Sequence, residues 1–501
     1  MTFRPDADNS QDADPETFTS SGVPGLDAIL HGGFVSGRAY QVRGLPGSGK
    51  TILSWYYLTN PTRTASEDEA SEETSLLITF DESEHQLRTD AERFGFDTEP
   101  VHVLDLSPTS DKFVEEGNPD NFYSTGTPDL GSIAGEITDA IDEWAPTRIV
   151  VDSMSHFRQF IADPSQSRTQ VLSLLRYLKE RNATVLLISE GGGINEENLN
   201  YLSDGIVELK REGGGRTIEV LKQRGRPFQS GPHPLSIEST GLTVHPRLQP
   251  AEKTETKVGE MLSSGIPELD ELLGGGISEQ TITIISGPSG VGKTTLGLQF
   301  MKEAAGRGKR SILYSFEEET GTMLDRSSSI NIPVQEMIDR ETLRVRQLRP
   351  WSFNEGQFVD QVREDIEGGA QIVMIDSISS YVACGDSDHM RDQLLRVCKH
   401  LVEQGVTVLL VNEIRDITGT FRATEGRISH LADNLVFLRY LEIEGQLRKA
   451  IGVLKKRAGN FEKTLREFRI STYGIRVGEP LVDLRGVLTG NPEWAEDQKP
   501  Q

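Results

Sequence analysis

Residues 44–51 read Gly-Leu-Pro-Gly-Ser-Gly-Lys-Thr, and residues 287–294 read Gly-Pro-Ser-Gly-Val-Gly-Lys-Thr. Both fit the pattern GxxxxGK[ST], in which glycines let backbone N–H groups surround a phosphate and the lysine reaches the β- and γ-phosphates. The threonine hydroxyl of such a loop ligates Mg²⁺ at the N-terminus of a helix. Because two chance matches in equivalent contexts are implausible, the sequence predicts two sites for ATP with Mg²⁺.

The flanking residues fit the strand and the helix that a phosphate-binding loop requires. Short β-prone runs precede the loops at residues 39–42 and 281–285, and apolar residues at roughly helical spacing follow them. We therefore predict that the nucleotide contacts the loop and the first helical residues. These residues are Gly44, Gly47, Ser48, Gly49, Lys50, Thr51 and Ile52 in the first copy, and Gly287, Ser289, Gly290, Val291, Gly292, Lys293, Thr294 and Thr295 in the second.

The two halves of the chain resemble each other beyond the loops. SGVPGLD at residues 21–27 recurs as SGIPELD at residues 264–270, and IVVDS at residues 149–153 recurs as VMIDS at residues 373–377. Two tandem homologous domains explain such repeats, whereas a short-period solenoid does not. The predicted boundaries are a disordered acidic tail at 1–16, a first domain at 17–245, a linker at 246–259, a second domain at 260–494 and a short tail at 495–501.

Asp152 and Asp376 each follow an apolar run that is typical of a buried parallel strand. At the end of such a strand a carboxylate can hold Mg²⁺ opposite the hydroxyl of Thr51 or Thr294. The alternative use of an Asp in this position is a helix cap or a turn.

A pair of adjacent acids follows another predicted strand in each half: Asp81 with Glu82, and Glu317 with Glu318. Hydrolysis needs a carboxylate near the γ-phosphate to orient or deprotonate water, and adjacent acids can divide that task. Since neighbouring carboxylates repel, one member should have a raised pKa unless Mg²⁺ or lysine compensates. A solvated charged loop is the alternative.

A Lys-x-Arg sequence closes each half, with Lys222 and Arg224 in the first and Lys455 and Arg457 in the second. On a strand, residues i and i+2 face the same side, so both cations point at one target. They can stabilise γ-phosphate charge from an adjacent subunit, as an arginine finger does. An exposed basic edge strand fits the sequence equally well.

Composition narrows the class of protein. With 77 acidic and 52 basic residues the net charge is −25, which disfavours a constitutive nucleic-acid surface. The chain has no run of 18 apolar residues and does not open on a signal segment, so we expect a cytoplasmic protein without a membrane span. Two cysteines exclude a disulfide framework and a cysteine metal cluster.

Together these motifs resemble the KaiC family of the RecA superfamily, and in particular archaeal two-domain KaiC-like ATPases. The most telling segments are FEE at 316–318, GRISHLADNLVFLRYLE at 426–442, LKKR at 454–457 and LREFRI at 465–470. The resemblance covers residues 17–494. It implies an α/β fold of two tandem RecA-like P-loop domains, each a mostly parallel twisted sheet flanked by helices.

The same resemblance implies a homo-hexamer of double-ring form, with ATP at the subunit interfaces and the Lys-x-Arg pairs acting in trans. It implies that Glu82 and Glu318 are the main catalytic bases, and Asp81 departs from the family's Glu, so turnover of the first domain should differ. It also places Ser429 at the serine acceptor position of an autokinase in the second domain, with His430 at the threonine position. An ordinary polar residue near the nucleotide is the alternative for Ser429.

Three functions remain open. The first is a hexameric ATPase whose nucleotide state switches a signalling surface for an unidentified regulatory protein partner, with Ser/Thr autokinase activity in the second domain as an addition. The second is a RecA/RadA-like DNA-dependent ATPase, for which the sequence shows no basic DNA loop or zinc module. The third is a slow ATP-binding scaffold, which the intact catalytic elements of both copies disfavour.

Overall fold

The computed structural model describes residues 17–59, 73–107, 110, 130–157, 164–191, 197–212, 215–239, 241–248, 260–414, 430, 432–443, 445–482, 484–485 and 493–494. The chain divides into two compact units, Met1–Arg247 and Leu248–Gln501. The boundary between the units lies inside the segment that the sequence predicts as a linker. Within the described ranges, no helix is long and apolar enough to cross a membrane.

Strands and helices alternate through most of the first unit, as a parallel sheet with crossover helices requires. Its elements are β1 (Phe18–Thr19), α1 (Leu26–Ile29), β2 (Phe34–Val35), β3 (Ala39–Gly44), α2 (Lys50–Thr59), β4 (Ser75–Thr79), α3 (Glu84–Arg93), β5 (Val101–Asp105), α4 (Leu130–Trp144), β6 (Arg148–Asp152), α5 (Met154–Phe157), α6 (Pro164–Glu180), β7 (Thr184–Ser189), α7 (Glu197–Leu202), β8 (Gly205–Glu212), β9 (Gly215–Gln223), β10 (His233–Glu238) and β11 (Gly241–Val244).

The second unit follows the same succession. Its elements are β12 (Met261–Leu262), α8 (Pro267–Leu272), β13 (Ile277–Ser278), β14 (Ile282–Gly287), α9 (Lys293–Gly306), β15 (Ser311–Ser315), α10 (Thr320–Ser329), α11 (Val334–Asp339), β16 (Leu343–Gln347), a 3₁₀ turn (Pro350–Ser352), α12 (Glu355–Glu367), β17 (Ile372–Asp376), α13 (Ile378–Val382), α14 (Ser387–Glu403), β18 (Thr407–Glu413), β19 (Asn434–Ile443), β20 (Gln446–Lys456), β21 (Arg466–Ser471), β22 (Gly474–Pro480), β23 (Leu484–Arg485) and β24 (Glu493–Trp494).

Each unit contains one nine-stranded sheet, and the two sheets have the same topology. The strand order is β11-β10-β9-β8-β3-β7-β6-β4-β5 in the first and β22-β21-β20-β19-β14-β18-β17-β15-β16 in the second. The six strands from β8 to β5, and from β19 to β16, run parallel, and the remaining three are antiparallel. This arrangement confirms the predicted pair of mostly parallel RecA-like α/β domains.

The inner parallel strands β4, β6, β15 and β17 are mostly apolar because both faces of each sheet are covered there. In β6, Ile149 and Val151 belong to one buried cluster, while Val150 belongs to the cluster on the other face. Alternate strand residues point to opposite faces, so a continuous apolar run fills both clusters. The polar Asp152 comes only at the carboxyl end of the strand, where the site lies.

The repeated segment near the start of each unit has a structural role. The Ser20 hydroxyl donates to the Asp27 carboxylate at 2.6 Å, and the Ser263 hydroxyl donates to Asp270 at 2.5 Å. The two units therefore share hydrogen bonds as well as strand order. This likeness supports reading the chain as a duplication.

Candidate active site

In both units the phosphate-binding loop joins the central strand to a helix. Strand β3 ends at Gly44 and α2 begins at Lys50, while β14 ends at Gly287 and α9 begins at Lys293. The first backbone N–H groups of a helix lack partners within the helix. Each loop thus leads into a group of N–H donors that suits an anion.

The last loop glycine is required by backbone conformation and by space. Gly49 has φ 107° and Gly292 has φ 115°, values that residues with a side chain rarely adopt. A Cβ atom would lie 2.7 Å from Ile237 Cδ1 at the first position and 2.5 Å from Ile470 Cδ1 at the second. The antiparallel strands therefore pack directly against the loops.

The lysines lie against the loop backbone. Lys50 Nζ donates to Gly44 O at 2.7 Å, and Lys293 Nζ donates to Pro288 O at 2.9 Å. Burial lowers the pKa of Lys293. In the first loop, the Ser48 hydroxyl is buried without a hydrogen-bond partner in the part of the chain that the structure describes. These groups form a polar loop interior that fits a phosphate.

Threonine and aspartate meet in the second unit, where Thr294 Oγ1 donates to Asp376 Oδ2 at 2.6 Å. Burial is the main reason that the pKa values of Asp376 and Asp152 are raised to about 6. In the first unit, the described contacts include no hydrogen bond between Thr51 and Asp152. Both aspartates nevertheless lie at the carboxyl ends of their strands, β6 and β17, as the sequence predicts. One strand, β7 or β18, separates each of these from the strand that leads into the loop.

The donor set decides which metal fits here. Across the described ranges, no three His, Cys, Asp or Glu side chains come together as a metal site. One hydroxyl and one carboxylate beside a phosphate loop suit Mg²⁺, which prefers oxygen ligands and takes the remainder from phosphate and water. Thr294 with Asp376, and Thr51 with Asp152, are the residues that would hold it.

The two acids that follow β15 have different surroundings. Glu317 accepts hydrogen bonds from the hydroxyl groups of Ser377, at 2.6 Å, and Ser380, at 2.5 Å. Glu318 forms a two-bond ion pair with Arg326, in which Nε lies 2.9 Å from Oε1 and Nη2 lies 2.7 Å from Oε2. The two acids of the second unit are thus both engaged.

The corresponding acids of the first unit are less constrained. Asp81 Oδ1 lies 3.7 Å from His156 Nε2, and Ser153 Oγ lies 2.9 Å from the other ring nitrogen of that histidine. The half-buried Glu82 side chain makes no hydrogen bond or ion pair with the described residues. Its pKa is raised by burial and then by the charges of Asp81 and Asp90. The raised pKa that neighbouring carboxylates predict is therefore found here, with burial as the larger cause.

A cleft of about 760 Å³ brings the second-unit elements together. It is lined by the phosphate-binding loop, Glu317, Glu318, Asp376 and Arg326, and also by Lys449 of β20. The Lys449 ammonium group donates to Gly290 O at 3.1 Å and so lies across the loop. Sequence patterns did not indicate Arg326 or Lys449, because neither belongs to a recognised motif: Arg326 lies on α10, directly after the acid pair, and Lys449 lies on β20.

In each unit the phosphate-binding loop lies at the carboxyl ends of the parallel strands, which we call the loop edge of the sheet. The Lys-x-Arg pair of the same unit lies at the amino ends of these strands, which we call the cation edge. The Arg224 N–H donates to Asp204 O, and the Asp204 N–H donates to Ala39 O, at the start of β3. Ala39 is five residues before Gly44, so Arg224 is level with a point about 16 Å from the loop. In the second unit, Arg457 has the same relation to Ile282 through Asp433.

The local contacts of these cations are with backbone carbonyls and with one acid in each unit: Arg224 lies 3.7 Å from the Asp204 carboxylate, and Arg457 lies 2.9 Å from that of Asp433. Lys222 Nζ donates to Asn200 O and Ser203 O near the end of α7, and Lys455 Nζ donates to Ala432 O. Each Lys lies on its strand and each Arg lies just beyond the strand's end. β9 and β20 are interior strands of their sheets, but their pairing with β10 and β21 covers residues 216–218 and 450–451, and the described ends that carry Lys222 and Lys455 pair only with β8 and β19.

The predicted acceptor Ser429 lies outside the described residues. Its neighbour His430 and the following Asp433 are described. In the described part of the second unit, the site is formed by the phosphate-binding loop, the acidic residues that line the cleft and Lys449.

The chain is similar to a known protein family and to several curated proteins over most of its length. The model of the KaiC ATPase family matches residues 19–249 and 262–482. The circadian clock oscillator protein KaiC of Picosynechococcus sp. is 28% identical over 495 residues, which are 95% of this chain and 93% of that protein. The circadian clock protein KaiC3 of Synechocystis sp. is 27% identical over 97% of this chain and 96% of its own length. The KaiC of Synechococcus elongatus is 28% identical over 94% of this chain and 91% of its own length.

Proposed function

Because the chain belongs to the KaiC family of ATPases, we propose that it hydrolyses ATP with Mg²⁺ in both of its tandem domains, as a double ring of six chains. The observation that carries this proposal is the cleft in which Lys293, Asp376 and Glu318 face one phosphate-binding loop. The first unit has the same strand, loop and helix, with Lys50, Asp152 and Glu82 in matching positions.

The proposed reaction is attack of water on the γ-phosphorus of ATP, with cleavage of the bond to the β–γ bridging oxygen. Glu82 and Glu318 orient the water and accept its proton, supported by Asp81 and Glu317. The ammonium groups of Lys50 and Lys293 offset the negative charge of the phosphates. Mg²⁺, when held by the threonine and aspartate, neutralises charge that develops on the phosphate oxygens.

The position of the Lys-x-Arg pairs supports assembly. Arg224 and Arg457 lie about 16 Å along the sheet from the phosphate-binding loops of their own units, too far for one side chain to reach. A neighbouring chain that presents its cation edge to the loop edge completes the site. Head-to-tail contacts of this kind form rings when the rotation between neighbours closes. We therefore assign Lys222, Arg224, Lys455 and Arg457 to sites in trans.

The proposed biological role is a nucleotide-dependent switch that an unidentified regulatory protein recognises. The curated relatives quoted above are named as circadian clock proteins, and this name describes those proteins. We extend the proposal to serine autokinase activity in the second domain, with Ser429 as acceptor. That extension is supported by sequence register alone, four residues before Asp433.

The test is hydrolysis of γ-labelled ATP by Lys50→Ala, Lys293→Ala and the double variant. Each single change should remove part of the phosphate release, and only the double change should remove all of it, because each lysine serves one site. Lys302→Ala is the matched control, since this partly exposed lysine of the same helix α9 makes its one described hydrogen bond to Asn331 O, away from the loop.

Phosphate release at the native rate by the double variant would show that the site assignment is wrong. Mass mapping of the same samples reports whether label reaches Ser429 or only solution. Stimulation of turnover by added DNA would instead favour the DNA-dependent ATPase. Binding of ATP with negligible release from the native chain would favour the slow scaffold.

A further inference from the structure

Arg326 binds the proposed base of the second domain with two hydrogen bonds and the helix after the loop with a third. Two guanidinium nitrogens donate to the two carboxylate oxygens of Glu318, at 2.9 and 2.7 Å. The third nitrogen donates to Thr295 Oγ1 at 2.8 Å, on the first turn of α9. The side chains are 33% and 22% exposed, so the pair lies inside the cleft wall and is partly shielded from water.

The first domain lacks this arrangement although its backbone is the same. Thr79 Oγ1 donates to Glu82 O at 2.8 Å, and Ser315 Oγ donates to Glu318 O at 2.9 Å, so both glutamates leave equivalent turns. Aligning the two acid pairs places Asp90 where the second domain has an arginine. Aligning the two loops places Ile52 where the second domain has Thr295.

These replacements leave the two glutamates in opposite settings. Glu82 has carboxylates nearby and no cation among its described contacts, and its pKa is raised. Glu318 has both oxygens bound by a planar guanidinium, which fixes the carboxylate in one orientation. To turn toward a water molecule, Glu318 must give up a charge-assisted hydrogen bond. Moving Arg326 with it disrupts the bond to Thr295 as well.

We propose that Arg326 is a positioning residue that restrains Glu318, so that the second domain hydrolyses ATP more slowly than the first and retains it longer. This inference rests on the proposed ATPase function and deepens it. It assigns the difference in rate between the two sites to one ion pair, formed by helix α10 and absent from the described first domain.

The experiment measures ATP turnover in Lys50→Ala protein, where only the second domain acts. Arg326→Gln should raise kcat about tenfold, the effect of removing roughly one charge-assisted hydrogen bond. The KM for ATP should change less than kcat, because the pair contacts Thr295 but not the loop lysine. A gain in kcat is a readout that structural damage does not produce. Thermal unfolding of the same variant checks that it remains folded.

Two controls isolate the pair. In a Glu318→Gln background the further change Arg326→Gln should have no effect, because the restrained group is gone. Arg340→Gln should leave turnover unchanged, since that arginine pairs with Glu336 on the exposed side of α11. In the reciprocal design, Asp90→Arg with Ile52→Thr in Lys293→Ala protein should slow the first domain by a similar factor.

The outcomes separate this inference from the proposed function. Turnover in Lys50→Ala protein that falls or stays constant on Arg326→Gln overturns the restraint and leaves the ATPase assignment intact. No turnover in Lys50→Ala protein contradicts hydrolysis by the second domain. In that case the restraint by Arg326 is overturned as well, unless Arg326→Gln restores turnover in the Lys50→Ala protein.

Discussion

At the scale of single residues, Asp152 and Asp376 show that groups of the candidate site lower the stability of the folded chain. Each has a pKa of about 6, raised chiefly by burial. A folded pKa above the unfolded value means that the native chain binds protons more tightly, which stabilises it fully below about pH 4. This stabilisation is lost as the pH rises through about 6. At neutral pH each ionised carboxylate therefore destabilises the metal-free protein.

Asp376→Asn should accordingly stabilise the second domain at pH 7.5 in the presence of a chelator. The expected gain is about 3 kcal/mol in the free energy of unfolding, and it should shrink toward zero near pH 4. Denaturant melts across this pH range provide the measurement. The exposed Asp339→Asn serves as control and should show no such trend. A gain that is constant with pH would contradict the raised pKa as its cause.

A second residue-scale prediction concerns Arg148, which is 1% exposed at the start of β6. Its guanidinium binds the Glu73 carboxylate at 2.9 Å and the carbonyls of Ser20 and Tyr57 at 2.8 and 2.9 Å. Arg148→Met should lower the stability of the first domain by about 3 to 5 kcal/mol, since these buried groups lose their partner. Ile372 occupies this position in the second domain, so calorimetry should show an unchanged second transition. Equal shifts in both transitions would contradict the local role.

At the scale of elements, the sequence predicts the parallel strands. It does not predict the order of the strands or the antiparallel strands that extend each sheet. The strand predicted before the Glu317–Glu318 pair is β15 at Ser311–Ser315, because a strand covered on both faces has a recognisable composition. The order of strands and the antiparallel extension depend on pairing between distant segments. Local patterns do not encode such pairing.

The same limit applies to the site. The sequence predicts the loops and the strand-end acids because motif spacing expresses their geometry directly. Arg326 and Lys449 reach the cleft from α10 and β20, and only packing brings them there. One signal was present, since aligning the halves sets Arg326 against Asp90 and reveals a reversed charge.

The element-scale prediction compares two glycines at the ends of α9. Gly292→Ala should destabilise the second domain by about 1 to 3 kcal/mol and weaken ATP binding, because the new Cβ meets Ile470 and φ is 115°. At Gly306 no atom lies within 4 Å of a new Cβ, so Gly306→Ala should stabilise by up to about 1 kcal/mol. Thermal melts and nucleotide titration compare the two. Equal effects would contradict a special role for the loop conformation.

At the scale of the whole molecule, each sheet has two chemically different edges, one at the carboxyl ends of its parallel strands and one at their amino ends. The loop edge of the second unit carries Lys293 and Glu318, and the opposite edge carries Lys455 and Arg457. One chain therefore contains every group that the proposed reaction uses, but places them too far apart to act on the same phosphate. In the proposed ring, contact between the unlike edges of two copies would bring them together, so activity should depend on assembly.

Mixing of variants tests this arrangement directly. In Lys50→Ala protein, Arg457→Ala and Lys293→Ala should each abolish turnover by the second domain, one through the missing cation and the other through the missing loop lysine. After exchange of subunits in equal amounts, about one quarter of the interfaces should combine an intact loop with an intact arginine, and that fraction of the activity should return. Light scattering with Mg-ATP checks that hexamers form.

The matched control mixes Arg457→Ala chains with chains that carry both Lys293→Ala and Arg457→Ala, so that no interface contains an intact arginine and no activity should return. A mixture of the single variants that stays as inactive as this control would show that Arg457 does not act across the interface. Recovery in the first mixture alone requires that one chain donate the cation and its neighbour the loop. The separation of about 16 Å between the two edges of a sheet predicts this recovery, because neither variant can repair its own site.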